Sequence, residues 1–292
     1  MTLTDWQSLS PETAAQLYRR ERIRWRRQLA WDTTLTWATV ETARVTWGLP
    51  GLVCWGPDGR VEGWAFYMVR DGRIDVGGLA ASTKEATDAL IAGLAERAQG
   101  HLGLTGFIYD DAPGLARSLA TRAIGTQAYR YLTRPLQTSI PAASQATASW
   151  DERHLEETTR LLSEAYGTQG RLFAPNGDPS EWRDYLTQLT THAGCGVLRP
   201  DLSRVVVNGS GIGAVALMTE LSPQTAHLAQ IAVAPSMRRQ GAARSLVLEL
   251  IGASQRAGYS KMSLLVSTAN EAACALYRDL GFVERAAFQN LG

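Results

Sequence analysis

The chain has 292 residues, and its Lys+Arg 29 against Asp+Glu 28 leave a formal charge of +1. That length suits two domains of about 140 to 150 residues each, and without any block of about five or six like charges it offers no footprint for nucleic acid or an anionic membrane surface. Cys54, Cys195 and Cys274 are scattered and form no C-x-x-C pair, which speaks against a disulfide framework and a structural zinc site, and with no secretory leader pattern and no apolar run of about eighteen residues the expectation is a soluble cytoplasmic protein.

A helix is expected over 10–29, where Ser10 can cap and Pro11 suits the first turn. Its basic run Arg19-Arg20-Glu21-Arg22-Ile23-Arg24-Trp25-Arg26-Arg27 reads as a solvated helix face, since the chain as a whole is charge-balanced. A second apolar-periodic stretch covers 35–45. The period then turns strand-like: 51–55 and 61–69 flank the turn Gly56-Pro57-Asp58-Gly59-Arg60, and Asp71-Gly72 leads into a third strand over 73–79. An amphipathic helix follows over 83–100 with Ala86, Leu90, Leu94 and Ala98 on one stripe, then a buried strand over 104–109, a short helix over 112–124 ending at Gly125, and a closing strand over 126–136.

Residues 137–149 turn to Ser, Ala, Thr, Gln and Pro and read as a linker. The same order of elements then recurs: helices over 152–166 and 180–191, strands over 204–207 and 212–220 joined by Asn208-Gly209-Ser210-Gly211, and a strand over 227–233. A long helix over 241–257, a strand over 261–266, a short helix over 270–280 and a last strand after Gly281-Phe282 complete it. An offset of about 156 to 158 residues between the two series suggests a duplication and predicts two copies of one mixed α/β domain. The expected boundaries are 1–136, a linker over 137–150, and 151–292.

The segment Gln230-Ile231-Ala232-Val233-Ala234-Pro235-Ser236-Met237-Arg238-Arg239-Gln240-Gly241-Ala242-Ala243-Arg244 carries the most chemistry. An apolar strand is stopped by Pro235, a basic loop follows, and Gly241 opens a helix whose first-turn N–H groups and dipole form an anion site. Gly241 with the small Ala242 and Ala243 lets a diphosphate approach the backbone, and Arg238 and Arg239 add charge. Arg238-x-x-Gly241-x-Ala243 resembles the pyrophosphate loop of the GNAT superfamily of acyl-CoA-dependent N-acyltransferases. The segment Asn270-Glu271-Ala272-Ala273-Cys274-Ala275-Leu276-Tyr277-Arg278-Asp279-Leu280-Gly281-Phe282 looks like that family's second signature. Asn270 can cap this helix, and Tyr277 falls two turns on, about 10 Å along the axis.

The resemblance implies two GNAT-like domains, each a mixed, largely antiparallel twisted sheet flanked by helices. It also implies acetyl-CoA as acyl donor, with cofactor contacts at Ile231, Ala232, Val233, Arg238, Arg239, Gln240, Gly241, Ala242, Ala243, Asn270, Ala273 and Tyr277. Transfer to an amine would be direct, and Tyr277 would protonate the departing thiolate. A base is needed as well: His227, four residues before Ile231, is the first candidate and Glu220 the second, with a water chain as a further alternative. The acceptor would be a small-molecule amine or a peptide N-terminus. No metal is expected, because no H-E-x-x-H or paired His/Asp spacing occurs, and His101, His154 and His192 are isolated.

The first copy lacks this chemistry. Its loop is Ala80-Ala81-Ser82-Thr83-Lys84-Glu85, with Thr83 where the second copy has Gly241, Glu85 near the place of Ala243, Gly114 in place of Asn270 and Thr121 in place of Tyr277. A Cβ and an acidic side chain are both wrong for a diphosphate. Trp6, Trp25, Trp31, Trp37, Trp47, Trp55 and Trp64 lie in this half and serve either as core and packing or as aromatic surface for a substrate. A non-catalytic acyl-CoA-binding regulatory or scaffold protein with the same fold is the competing expectation, and the oligomeric state is not legible.

Overall fold

A computed structural model describes residues 1–137, 143–167, 174, 177–191, 196–209 and 211–292. The first half runs β1 (Thr2–Asp5), α1 (Pro11–Leu29), α2 (Thr34–Trp47), β2 (Gly51–Trp55), β3 (Val61–Arg70), β4 (Arg73–Ala81), α3 (Lys84–Arg97), β5 (Leu104–Tyr109), α4 (Leu115–Thr121) and β6 (Thr126–Pro135). The second runs β7 (Ala148–Ser149), α5 (Leu155–Tyr166), α6 (Pro179–Thr191), β8 (Val197–Leu198), β9 (Arg204–Asn208), β10 (Gly211–Ser222), β11 (Thr225–Val233), α7 (Ala242–Arg256), β12 (Lys261–Ser267), α8 (Glu271–Asp279) and β13 (Val283–Leu291). Ser10 caps α1 by accepting from the Thr13 N–H, with Pro11 in the first turn. Of the expected linker, residues 138–142 lie outside the described residues; so do Ser210 of the β9–β10 turn, His192 and Cys195.

Among the described residues all strands join one sheet in the order β1-β2-β3-β4-β5-β13-β6-β12-β11-β10-β9-β7, with β8 pairing β10 off that path. Neighbours are antiparallel except β4 with β5 and β11 with β12. The order reads the same from both ends once β5 is matched with β12, β4 with β11, β3 with β10, β2 with β9 and β1 with β7. Two copies of one fold, related by an approximate two-fold axis between β6 and β13, give this pattern. Each half therefore lends its last strand to the other: β13 lies between β5 and β6, and β6 lies between β13 and β12. Sequence periodicity sets which residues form a strand and which face they bury, but not which strand they pair with. The exchange was invisible for that reason.

Helices cover both faces. In the first half α3 closes Leu52, Ala65, Ile74, Val76, Leu90, Ile91 and Leu94 into one core, while α1 and α2 cover Trp6, Trp37, Trp64 and Phe66 on the other face. Four of the seven tryptophans of that half, Trp6, Trp31, Trp37 and Trp64, are buried, which favours packing over a substrate surface; Trp47 alone among them is 73% exposed. In the second half α7 and α8 pack on Ala214, Ala216, Met218, Leu228 and Leu264, and α5 with α6 packs on Val205, Val215, Leu217 and Ala232. The seam between halves is aromatic: Trp31, Tyr109, Tyr129, Tyr131 and Phe288 pack with Leu29 and Leu221. The Tyr131 hydroxyl donates to the Leu29 carbonyl at 2.7 Å, and the Asp32 N–H donates to the Leu221 carbonyl at 3.1 Å.

Candidate active site

At the end of β11 a short 3₁₀ turn, Pro235–Met237, lifts the chain off the sheet, Arg239 takes a left-handed backbone (φ 61), and Gly241 caps α7 in the same region (φ 85). No side chain caps this helix. Its first internal bond runs from the Ser245 N–H to the Gly241 carbonyl, so the N–H groups ahead of Ser245 have no partner within the helix. A Cβ at Gly241 would meet nothing nearer than Ser144 Oγ at 3.8 Å. What demands glycine here is therefore its φ, which costs any other residue about 1 to 2 kcal/mol.

The equivalent start of α3 shows what closing such a site looks like. Thr83 caps that helix with its own hydroxyl, accepting from the Ala86 N–H at 3.2 Å, and Glu85 places a carboxylate in the first turn. The Lys84 stem fills the space toward α4, where a Cβ on Gly114 would lie 2.9 Å from Lys84 Cγ. One copy leaves its helix start without a side-chain cap, and the other closes it with its own threonine.

Side chains around the open loop are not all where spacing alone puts them. The Arg238 side chain, although exposed, bends back onto the backbone, Nε donating to the Val233 carbonyl at 3.3 Å and Nη2 to the Ala165 carbonyl at 3.4 Å, and so ties β11 to the end of α5. Arg239 is exposed. Gln240 donates back to the Ser236 carbonyl at 2.7 Å. The chain between the halves lies over the loop: the Gln145 amide donates to the Gln240 carbonyl at 2.8 Å, and the Ser144 and Ser245 hydroxyls are 3.0 Å apart. A cavity of about 420 Å³ opens elsewhere, between α1 and the strand ends at Gly63 and Ala81, where Arg24 is paired with Glu21 and Asp111.

From the loop an unfilled strand edge leads inward. β11 pairs with β12 only over Thr225–Leu228 against Lys261–Leu264, after which the two parallel strands diverge. Backbone groups alternate sides along a strand, and the Ala234 N–H donates to the Gly213 carbonyl on the β10 side. Ala232 thus faces β10, whereas Ile231 and Val233 turn N–H and C=O to the opening, the Val233 carbonyl already accepting from Arg238. There the Tyr166 hydroxyl, at the end of α5, is hydrogen-bonded to the Ile231 backbone, and burial pushes its pKa up to about 12.

α8 forms the other wall. Asn270 caps it, its Oδ1 accepting from the Ala273 N–H at 3.1 Å. Tyr277 is buried, edge-on to Phe282 with centroids 5.8 Å apart. Burial first, and then its neighbour Tyr166, holds the Tyr277 phenol well above the usual range, so it keeps its proton throughout the physiological interval. Tyr277, Tyr166 and the Ile231 backbone thus come together at the inner end of the opening, with the glycine-led helix start at its outer end.

His227 and Glu220 lie further down the strands. His227 sits on the paired part of β11 opposite Ser263, its Nδ1 2.9 Å from Ser263 Oγ, and its ring packs against Trp31 at 5.9 Å and Tyr131 at 6.3 Å. Burial drops its pKa to about 3, so the ring is neutral in the folded protein. Glu220 pairs with Ala226 across the β10–β11 ladder, toward the end remote from the loop, and is held by Arg199 Nη1 at 2.9 Å and by the Tyr259 hydroxyl. Between about pH 6.5 and 3 the unfolded chain binds a proton at His227 that the folded chain refuses, so stability falls as pH falls through that window. His227→Gln is expected to flatten the acid limb of melting temperature against pH; a curve of unchanged slope would mean that the ring is solvated.

Sequence reasoning did not single out Tyr166, Ser144 or Gln145, and it named Trp31 only among the seven tryptophans of its half. Tyr166 closes an amphipathic helix like any packing residue, and Trp31 sits in a short connection, so neither carries a local signal. Each acquires its place only when the sheet is assembled.

Residues 155–282 match the sequence profile of the acetyltransferase (GNAT) family. Solved structures share the fold over most or all of the chain. A GCN5-related N-acetyltransferase from Sphaerobacter thermophilus matches with TM-score 0.72 at 16% identity, covering 99% of this chain and 94% of that one. An acetyltransferase from the GNAT family from Colwellia psychrerythraea gives 0.59 at 11%, covering 100% and 99%. A tandem GNAT protein from the clavulanic acid biosynthesis pathway gives 0.53 at 17%, covering 83% and 82%. No curated relative matches the chain by sequence. Among the described residues no helix is long and apolar enough to cross a membrane, and no group of three or more His, Cys, Asp or Glu side chains is placed to hold a metal.

Proposed function

We propose, from the match of residues 155–282 to the acetyltransferase (GNAT) family profile, that the chain is a cytoplasmic N-acetyltransferase. Residues 151–292 would bind acetyl-CoA and act on a primary amine, and residues 1–136, joined through 137–150, would form a copy that binds no CoA. One observation carries the reading: an uncapped helix start led by Gly241 and a protonated phenol at Tyr277 stand at the two ends of one unfilled strand edge. The N–H groups of the α7 first turn would hold the diphosphate, the backbone of Ile231 and Val233 would accept the pantetheine as an added strand, and the Ile231 N–H would polarise the thioester carbonyl.

In the chemical step the amine nitrogen forms a bond to the thioester carbonyl carbon, the carbon–sulfur bond breaks, and the electron pair leaves on sulfur. Tyr277 supplies the proton that sulfur takes, and the nitrogen gives up its own. With a conjugate acid near 3, His227 is a poor match for an ammonium proton, and Glu220 is engaged by Arg199 and Tyr259. We assign both proton losses to solvent: the amine enters uncharged, the proton it sheds on bond formation leaves through water, and water returns a proton to the Tyr277 phenolate, so that the net transfer is from nitrogen to sulfur. On this reading kcat/KM rises with pH through the acceptor's own pKa and shows no inflection from His227.

Titration calorimetry with CoA and acetyl-CoA, together with thiol release over a panel of small amines and peptide N-termini, tests the proposal. The expected result is one binding event per chain and thiol release with a subset of amines. Absence of binding would overturn the reading, and two events per chain would overturn the assignment of the first copy. Tight acetyl-CoA binding without release on any amine would favour a regulatory CoA-binding protein.

A further inference from the structure

We propose that Tyr166 sets the length of acyl group this site accepts, an inference that rests on the acyl-CoA reading of the site. The Tyr166 hydroxyl stands on the Ile231 backbone, the point at which a thioester carbonyl would be held. Behind its ring lies Trp182, with centroids 5.2 Å apart, and Trp182 is completely buried. Tyr185 packs edge-on to Trp182 at 5.8 Å and accepts a hydrogen bond from the Gln230 amide at 3.0 Å, which fastens this aromatic wall to β11 beside Ile231. On the other side Tyr277 is close enough for Tyr166 to help raise its pKa.

Two consequences follow from this geometry. A carbonyl oxygen and the Tyr166 hydroxyl compete for one N–H, so the phenol must turn away when an acyl group docks. Trp182 and Tyr185 give it little room to retreat, and the ring then lies across the path of the acyl chain. A methyl group fits in front of it, whereas a longer chain would have to drive a phenol into a close-packed wall. Tyr166 is thus a specificity-determining residue rather than a participant in proton transfer.

The test is calorimetric binding of CoA, acetyl-CoA, butanoyl-CoA and octanoyl-CoA to the full chain, as wild type, Tyr166→Phe and Tyr166→Ala, with melting curves to verify folding. Wild type is expected to bind octanoyl-CoA about 10-fold or more weakly than acetyl-CoA, since overpacking a rigid pocket costs that much. Tyr166→Ala removes the wall and brings the two within about 2-fold, with CoA itself unchanged, because the substituted atoms touch only the acyl end. Tyr166→Phe keeps the chain-length discrimination and tightens acetyl-CoA about 2- to 5-fold, since the competing hydroxyl is gone. Equal affinity for the acetyl and octanoyl forms in wild type, or an unchanged ratio in a folded Tyr166→Ala, overturns the inference while leaving the CoA reading standing. If CoA and acetyl-CoA both fail to bind wild type, the underlying reading fails and takes this inference with it.

Discussion

Tyr277→Phe is expected to lower kcat by about 100- to 1000-fold, the range over which a well-placed general acid acts, while the Kd for CoA stays within about 2-fold because the hydroxyl is the only group lost. The substitution is conservative for packing: the ring keeps its edge contact with Phe282 and its place in the core beside Ala273, Cys274 and Leu276. Burial raises the Tyr277 phenol first and foremost, so its proton is present throughout the physiological pH range. On the proposed reaction the same burial would disfavour a bare thiolate leaving at that spot, and a phenol donor would stabilise it there. The alkaline limb of the wild-type profile is therefore expected beyond the usual tyrosine range rather than at it. Single-turnover thiol release separates the chemical step from product departure. A variant that keeps kcat within about 3-fold would remove Tyr277 from the reaction.

Much of the fold was readable because it is written in local periodicities. The helix starts at Ser10 and Asn270, the glycine-led start at Gly241 and the strand ends at Leu104–Tyr109 fall where cap and period place them. What escaped depends on partners distant in sequence. Nothing in Thr126–Pro135 tells that it pairs with Lys261–Ser267 as well as with Val283–Leu291, and nothing near His227 tells that Trp31, from the other half, will cover it. Spacing put His227 on the strand that leads to the site, but its chemistry follows from burial, and burial is a property of the assembled seam. The Arg238 guanidinium is a related case: its charge is legible, its direction is set by the Val233 and Ala165 carbonyls that the fold brings within reach.

Gly241→Thr is expected to weaken CoA and acetyl-CoA alike by about 10- to 100-fold, the loss of one charge-assisted hydrogen bond, with little change in kcat at saturation. The substitution rebuilds on α7 the cap that α3 already has, where the Thr83 hydroxyl takes the N–H of Ala86. Two effects add. Threonine at φ 85 is strained, so the loop relaxes toward an extended cap residue like Thr83, and its Oγ1 then occupies a first-turn N–H that a phosphate oxygen would use. Stability serves as the internal control: a side-chain cap stabilises a helix by about 1 kcal/mol, which offsets a left-handed cost of about 1 to 2 kcal/mol, so melting should shift only slightly while affinity falls. Gly241→Ala separates the two, since alanine carries the strain without the hydroxyl, and should show the smaller affinity loss with the larger drop in melting temperature. If both variants bind CoA as wild type does, the diphosphate is not held at this helix start. The reverse exchange, Thr83→Gly, uncaps α3 yet leaves Glu85 and the Lys84 stem in the way; it should destabilise the first half without creating a second CoA site, because one residue closed that cradle only in company with its neighbours.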